Sequence, residues 1–371
     1  MSMNDLKENY MRKLLALAVC GVMAIAVAAC GSSSSSSSSS GGSAKSGGSI
    51  NGAGATFPQP VYDEWGARVK DKDGLTVNYQ GIGSGGGVAQ FTAGTIDFGA
   101  TDSAMTDQEL AAAKKKGEPV HVPSVFGAVT VSYNVQGAKK GLKLDGATVA
   151  DMFLGKVKKW NDPAIAKQNA GVKLSSQNIT VCHRSDESGT TKLFTTFLAA
   201  YSPAWKSGPG VDKTVKWPTG TGAKGNDGVA ACVKQNQGAV GYVEQAYALQ
   251  SNFTTADVKN KSGQYISPTL ASTTAAGEGI KFPADLRFSA IDAPGAKAYP
   301  IASATFLLVY QDMCKAGEKQ AQAKGVKTWL DYALGDGQKV APSIQYAPLP
   351  APLLAAAKKK VAGLQCNGKA L

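Results

Sequence analysis

Between residues 178 and 201 the hydrophobic period of the chain changes once. Residues 178–182 are β-prone, whereas Leu193, Phe194, Phe197, Leu198 and Tyr201 recur at helical spacing. The stretch therefore reads as strand, loop and helix. The loop, from His183 to Thr191, sets Ser188, Gly189 and Thr190 at the helix start and Arg184 just behind them. The first amides of a helix lack partners within it and sit at the positive end of its dipole, so hydroxyls, amides and a guanidinium gather here as donors for an anion. Ser-Gly-Thr alone is also an ordinary helix cap. What constrains the fold is that the unit recurs.

Thr56, Phe57 and Pro58 precede a helical pattern with Val61, Tyr62, Trp65 and Val69 on one face. A strand predicted over 76–80 turns through glycines 81–87 into a short helix, with Ser84 at the turn. A strand over 96–100 ends at Asp102, and Thr106 with Glu109 makes a capping box for the next helix. No Gly-Lys-Ser/Thr follows the glycines, so this is not a P-loop; Ile82 also breaks the Gly-x-Ser-x-Gly pattern of hydrolases. Further strands are predicted over 128–134, 239–244 and 304–310, and a helix over 146–154. The glycine-rich run 219–228 reads as a lid loop, a second backbone contact to ligand or a long surface turn, of which the turn is favoured. This alternation predicts an α/β fold of mainly parallel sheets flanked by helices, with ligand at the C-terminal ends of strands. Thr56, Ser84, Asp102, Arg184, Ser188, Gly189 and Thr190 are then the candidate anion site.

Ahead of this region, Met11-Arg12-Lys13 opens a basic segment, residues 14–27 are apolar but short for a membrane span, and Ala28-Ala29-Cys30-Gly31 follows. Residues 1–29 read as a lipoprotein signal peptide, with Met11 a better start than Met1, and Cys30 as the lipidated first mature residue, placing the protein on the extracytoplasmic face of the cell membrane. Residues 30–49 are a Ser/Gly tether whose mean reach is about 24 Å. The net charge is +12. Export and the absence of a basic-aromatic motif exclude nucleic acid as partner. Of six cysteines, Cys20 leaves with the leader and Cys30 carries lipid. The remaining four allow three pairings, of which Cys182–Cys232 and Cys314–Cys366 keep each bridge within one chain region. With two histidines and no Cys-x-x-Cys, neither a metal site nor a cofactor is expected.

The runs Gly52 to Pro58, Tyr79 to Ser84, Asp97 to Asp102 and Arg184 to Thr190 together resemble the phosphate-binding proteins of the bacterial high-affinity phosphate ABC transporter. Supporting matches lie at 154–161, 215–218, 224–228 and 238–244, and the resemblance spans residues 51 to about 350. It implies a two-lobed, type II periplasmic-binding-protein-like fold that closes on ligand in the inter-lobe cleft, with lobe I from 50–126 and 299–371 and lobe II from 127–298. Carried over by motif, Thr56, Phe57, Ser84 and Asp102 hold inorganic phosphate from one lobe and Arg184, Ser188, Gly189 and Thr190 from the other, while Asp186 holds the arginine fork. A monomer that performs no reaction and delivers phosphate to a two-component permease is implied. The sequence departs from the family pattern at Thr101, His183, Glu187 and the disulfides. The rival reading, a secreted phosphatase or phosphoryl-transfer enzyme on a related fold, needs a metal pair or an activated nucleophile that His121 and His183 do not supply. A sulfate or molybdate binder is opposed by Asp102, an acceptor that only a protonated ligand can satisfy.

Overall fold

The structure, a computed structural model, describes residues 48–137 and 141–371. The leader, Cys30 and the tether up to residue 47 lie outside the described residues. Among the described residues no helix is long and apolar enough to cross a membrane.

Nine strands of the described residues form one mixed sheet: β1 (Ser49–Gly54), β2 (Thr76–Gly81), β3 (Phe98–Thr101), β4 (Pro119–Asn134), β5 (Thr180–Arg184), β6 (Thr221–Ala223), β7 (Ala239–Glu244), β8 (Thr254–Thr255) and β9 (Ala302–Tyr310). Their order is β2-β1-β3-β9-β4-β7-β5-β6, with β8 added beside β4. Pairing is parallel at both ends of this order, where β2, β1 and β3 run together and β7, β5 and β6 run together. It is antiparallel in the middle, where β9 and β4 return the chain. β4 belongs to both halves. Its first part, to Ala128, pairs with β9, and from Val129 onward it pairs with β7. The sheet thus has two wings joined through one continuous strand.

The expected strand over 128–134 is only the second half of β4. The first half contains Pro119 and Pro123, and Pro123 lacks the N–H that a central strand needs. The ladder absorbs it in a bulge: Thr305 faces Val125, Phe306 faces Pro123, and Ser124 is the extra residue. Ser124 is not orphaned, since its Oγ pairs with Tyr62 Oη at 2.7 Å.

Each wing carries its own aromatic core. Under the first, helix α1 (Gln59–Asp73) turns Tyr62, Trp65 and Val69 inward, and Trp329 of a later helix packs within 6.0 Å of Trp65 and Phe98. Under the second, Phe194 stacks on Tyr242 at 4.4 Å, with Phe153 and Trp217 alongside. The two bridges pair as expected. Cys182 on β5 joins Cys232, with Cα atoms 6.0 Å apart, and Cys314 joins Cys366 at 4.7 Å.

Candidate functional site

The site is assembled from helix starts. Helix α2 (Ser84–Ala93) follows β2; helix α3 (Asp107–Ala113) follows β3 with the expected Thr106–Glu109 capping box; helix α4 (Gly189–Tyr201) follows β5; and helix α5 (Gly225–Gln235) follows β6. The starts of α2 and α4 face each other from opposite wings. A Cβ on Gly189 would lie 2.3 Å from Ser84 Oγ and 2.8 Å from Asp102 Cβ, so only glycine lets the wings meet this closely. The Gly85 N–H donates to the Glu187 carbonyl across the same seam at 3.0 Å. Lys213, buried beside the start of α4, reaches Glu109 in the first turn of α3 as an ion pair, and its carbonyl accepts the Ser188 N–H at 2.9 Å. The wings are closed on one another here.

The polar groups sealed by this closure include those that the sequence offers as donors and acceptor. Thr56, Ser84, Asp102, Arg184, Ser188 and Thr190 are each at most 3% exposed. Arg184 Nε donates to Asp186 Oδ1 at 2.7 Å and Nη2 donates to Oδ2, so the carboxylate grips one edge of the fork. Nη1 turns toward Thr190 Oγ1 at 3.5 Å. Burial alone would raise Asp186, but the arginine more than offsets it and holds the carboxyl below its ordinary range. The Arg184 N–H donates to Tyr242 Oη, which also pairs with Thr191 Oγ1 at 2.7 Å, so the strand end and the helix start are anchored to one ring.

Asp102 is the one carboxylate in the midst of these donors. Its Oδ1 accepts Thr305 Oγ1 at 3.0 Å, its Oδ2 accepts Thr190 Oγ1 at 3.3 Å, and its N–H donates to Ser84 Oγ at 3.2 Å. Burial, only partly offset by the Thr305 bond and the Arg184 charge, pushes its carboxyl up to about 7.

Two expected residues serve differently from their neighbours. The Phe57 ring is fully buried against Tyr346, and its carbonyl accepts Tyr346 Oη at 2.7 Å, which leaves only its backbone N–H for a ligand. Ser188 Oγ caps α4 by accepting the Thr191 N–H at 3.0 Å; capping consumes a lone pair and keeps the hydroxyl proton free to donate. The imidazoles are occupied elsewhere: His121 Nε2 accepts the Met105 N–H, and His183 stacks on Trp217.

Sequence reasoning missed Asn226. The run 219–228 is a turn only at its start: Thr221–Ala223 form the edge strand β6, and Gly225 and Asn226 are buried at the start of α5. Asn226 Nδ2 donates to Thr56 Oγ1 at 2.8 Å and to Thr190 Oγ1 at 3.3 Å, and the Gly225 N–H donates to Asp186 Oδ1 at 3.1 Å. The signal was present, since glycines before a helix start is the pattern that marked Ser84. Thr305 was missed for a different reason, lying inside an apolar strand with no local cue. Chemically, the cleft offers amides, hydroxyls and one guanidinium as donors, with a single acceptor among them. That is a set for a tetrahedral oxyanion carrying a proton.

The profile of the PBP superfamily domain matches residues 39–336. The chain is 42% identical to the phosphate-binding protein PstS of Pasteurella multocida, over 81% of this chain and 86% of that protein. It is 40% identical to PstS of Haemophilus influenzae, over 84% and 92%. Among solved structures, the phosphate-binding protein of Stenotrophomonas maltophilia superposes with a TM-score of 0.64 at 22% identity, covering 84% of this chain and 93% of that one.

Proposed function

The chain belongs to the PstS family of phosphate-binding proteins within the PBP superfamily, and on that premise we propose that it binds inorganic phosphate outside the cytoplasmic membrane and delivers it to the permease of a phosphate ABC transporter. It is a solute-binding protein and performs no reaction. The observation that carries this reading is the buried meeting of the α2 and α4 starts around Arg184 and Asp102.

In this reading Thr56, Ser84, Ser188 and Thr190 donate hydroxyl protons to phosphate, Phe57 and Gly189 donate amides, and Arg184 supplies charge-assisted bonds. Asp186 keeps the guanidinium aimed and touches no ligand. Asp102 accepts a ligand proton. Phosphate at neutral pH still has one to offer and sulfate has none, so sulfate would leave a buried acceptor unpaired against like charge. Lobe I comprises 50–126 and 299–371 and lobe II 127–298, a division supported by the change of partner along β4 at Ala128/Val129. The 282–288 segment lies across lobe I, where Phe288 packs on Phe126 and Phe306. Cys30 is the lipid anchor, and the protein acts as a tethered monomer. Calorimetric titration of the phosphate-stripped protein with phosphate, arsenate and sulfate tests the whole reading: phosphate binds tightly, arsenate competes, and sulfate does neither. Tight sulfate binding would overturn it.

A further inference from the structure

Asn226 is fully buried at the second position of α5 and joins both wings. Its Oδ1 accepts the Glu244 N–H at 3.0 Å, which sets the amide's orientation, because the flipped amide would oppose two donors. Nδ2 therefore faces Thr56 Oγ1 at 2.8 Å and Thr190 Oγ1 at 3.3 Å, and the Asn226 backbone N–H reaches Thr56 Oγ1 as well, at 3.2 Å. A hydroxyl has one proton and two lone pairs. Both lone pairs of Thr56 Oγ1 thus receive N–H groups of Asn226. Those of Thr190 Oγ1 receive Asn226 Nδ2 and Arg184 Nη1. Neither oxygen has an acceptor position left: Thr56 can meet a further group only by donating, and Thr190 gives its proton to Asp102 Oδ2 at 3.3 Å here, so a ligand reaches that hydroxyl only by taking the proton from Asp102.

We propose that Asn226 is a positioning residue that fixes the polarity of the cleft: it makes the Thr56 hydroxyl an obligate donor toward phosphate and holds Thr190, on the other wing, as a hydroxyl that can only donate, to Asp102 as found here or to the ligand, with Asp102 as the acceptor. The proposal rests on the phosphate reading above. Because Thr56 and Thr190 are reached together only when the wings meet, this polarity is imposed on closure.

Asn226→Asp keeps the shape and removes the side-chain N–H. An ionised carboxylate there accepts both threonine protons, turns them away from the ligand and adds a like charge; a protonated one can still donate. The charged and titratable groups facing this position are Asp102 and Arg184 through Thr190, Asp186 through Gly225, Asp227 on the same helix, Glu244 at Oδ1, and Tyr247, whose Oη donates to the Thr56 carbonyl at 2.6 Å.

The test is calorimetric titration with inorganic phosphate of the stripped wild type, Asn226→Ala and Asn226→Asp, between about pH 5.5 and about pH 8.5, with the ratio to wild type cancelling the ligand's own titration. Asn226→Ala weakens binding about tenfold with the wild-type pH profile. Asn226→Asp weakens it about 100-fold at the alkaline end, and the gap to wild type narrows at least about tenfold at the acid end. Losses that are equal for the two variants at every pH would reduce Asn226 to a packing role and overturn the proposal, as would an Asn226→Asp protein that binds like wild type. If Asn226→Asp does not fold, a cycle of Asn226→Ala with Thr56→Val decides: Asn226→Ala must cost less in the Thr56→Val background, and additive losses refute the coupling. A wild type that takes up no phosphate sinks the phosphate reading itself; wild-type binding with unaffected variants sinks only this inference.

Discussion

Replacing Asp102 by Asn tests the cleft's chemistry and its energetics in one protein. The side chain is buried, keeps its shape in the variant, and can still accept Thr305 through its remaining oxygen. At the other position an NH2 donor replaces an acceptor. Sites built around such a hydrogen bond discriminate by about 10⁴-fold, so the phosphate-to-sulfate ratio of Asp102→Asn should fall by orders of magnitude while phosphate binding itself weakens far less. The same substitution has a pH signature in the unliganded protein. Burial raises the folded-state carboxyl from 3.8 to about 7. A raised folded value means the contribution is fully present below the unfolded value and is lost as pH rises through about 7. At 1.36 kcal/mol per unit, about three units amount to a destabilisation on the order of 4 kcal/mol above neutrality. Asn carries no charge and escapes it. Thermal melts of stripped wild type and variant should therefore coincide at about pH 4 and separate by several degrees at about pH 8, with Asp102→Asn the more stable. Glu244, whose carboxyl is pushed well above its ordinary range by burial and, to a lesser extent, by the Asp102 charge, is relieved of that charge in the variant, which adds to the difference in the same direction. An unchanged selectivity ratio removes Asp102 from discrimination; melts that differ by the same amount at both pH values refute the burial argument.

Three further outcomes are expected. Arg184→Ala should cost roughly 1.5–3 kcal/mol of phosphate affinity by calorimetry and Asp186→Ala less, since Asp186 acts only through the fork; the reverse order would contradict the assigned roles. Gly189→Ala should keep the fold yet lose closure, because its Cβ meets Ser84 Oγ and Asp102, and small-angle scattering with saturating phosphate should show it remaining more extended than wild type. Cys30→Ala should abolish lipid labelling in cells, and persistent labelling would remove Cys30 as the anchor.

The parts of this protein that could be read from the linear chain are those governed by interactions over a few residues. Ser84, Ser188, Gly189 and Thr190 stand where hydrophobic period changes from strand to helix, and caps and unpaired helix amides are local chemistry. Arg184 stands just behind that helix start, whereas the role of Asp186, two residues on, comes only from the family resemblance. The parts that could not be read depend on distant partners. Half of strand β1 is Gly or Ala, with little β-propensity, and its small residues admit the Phe98 ring; a Cβ on Gly52 would sit 2.1 Å from it. Pro123 lies within a central strand because the register shifts at the Thr305–Phe306 step of β9, far along the chain, and absorbs it in a bulge. Asn226 meets a partner 170 residues away and Asp102 one 203 residues away. The burial that raises the Asp102 carboxyl exists only once both wings surround it. Propensity acts along the backbone within a turn or two, whereas desolvation and the choice of hydrogen-bond partner belong to whatever the folded chain brings into contact.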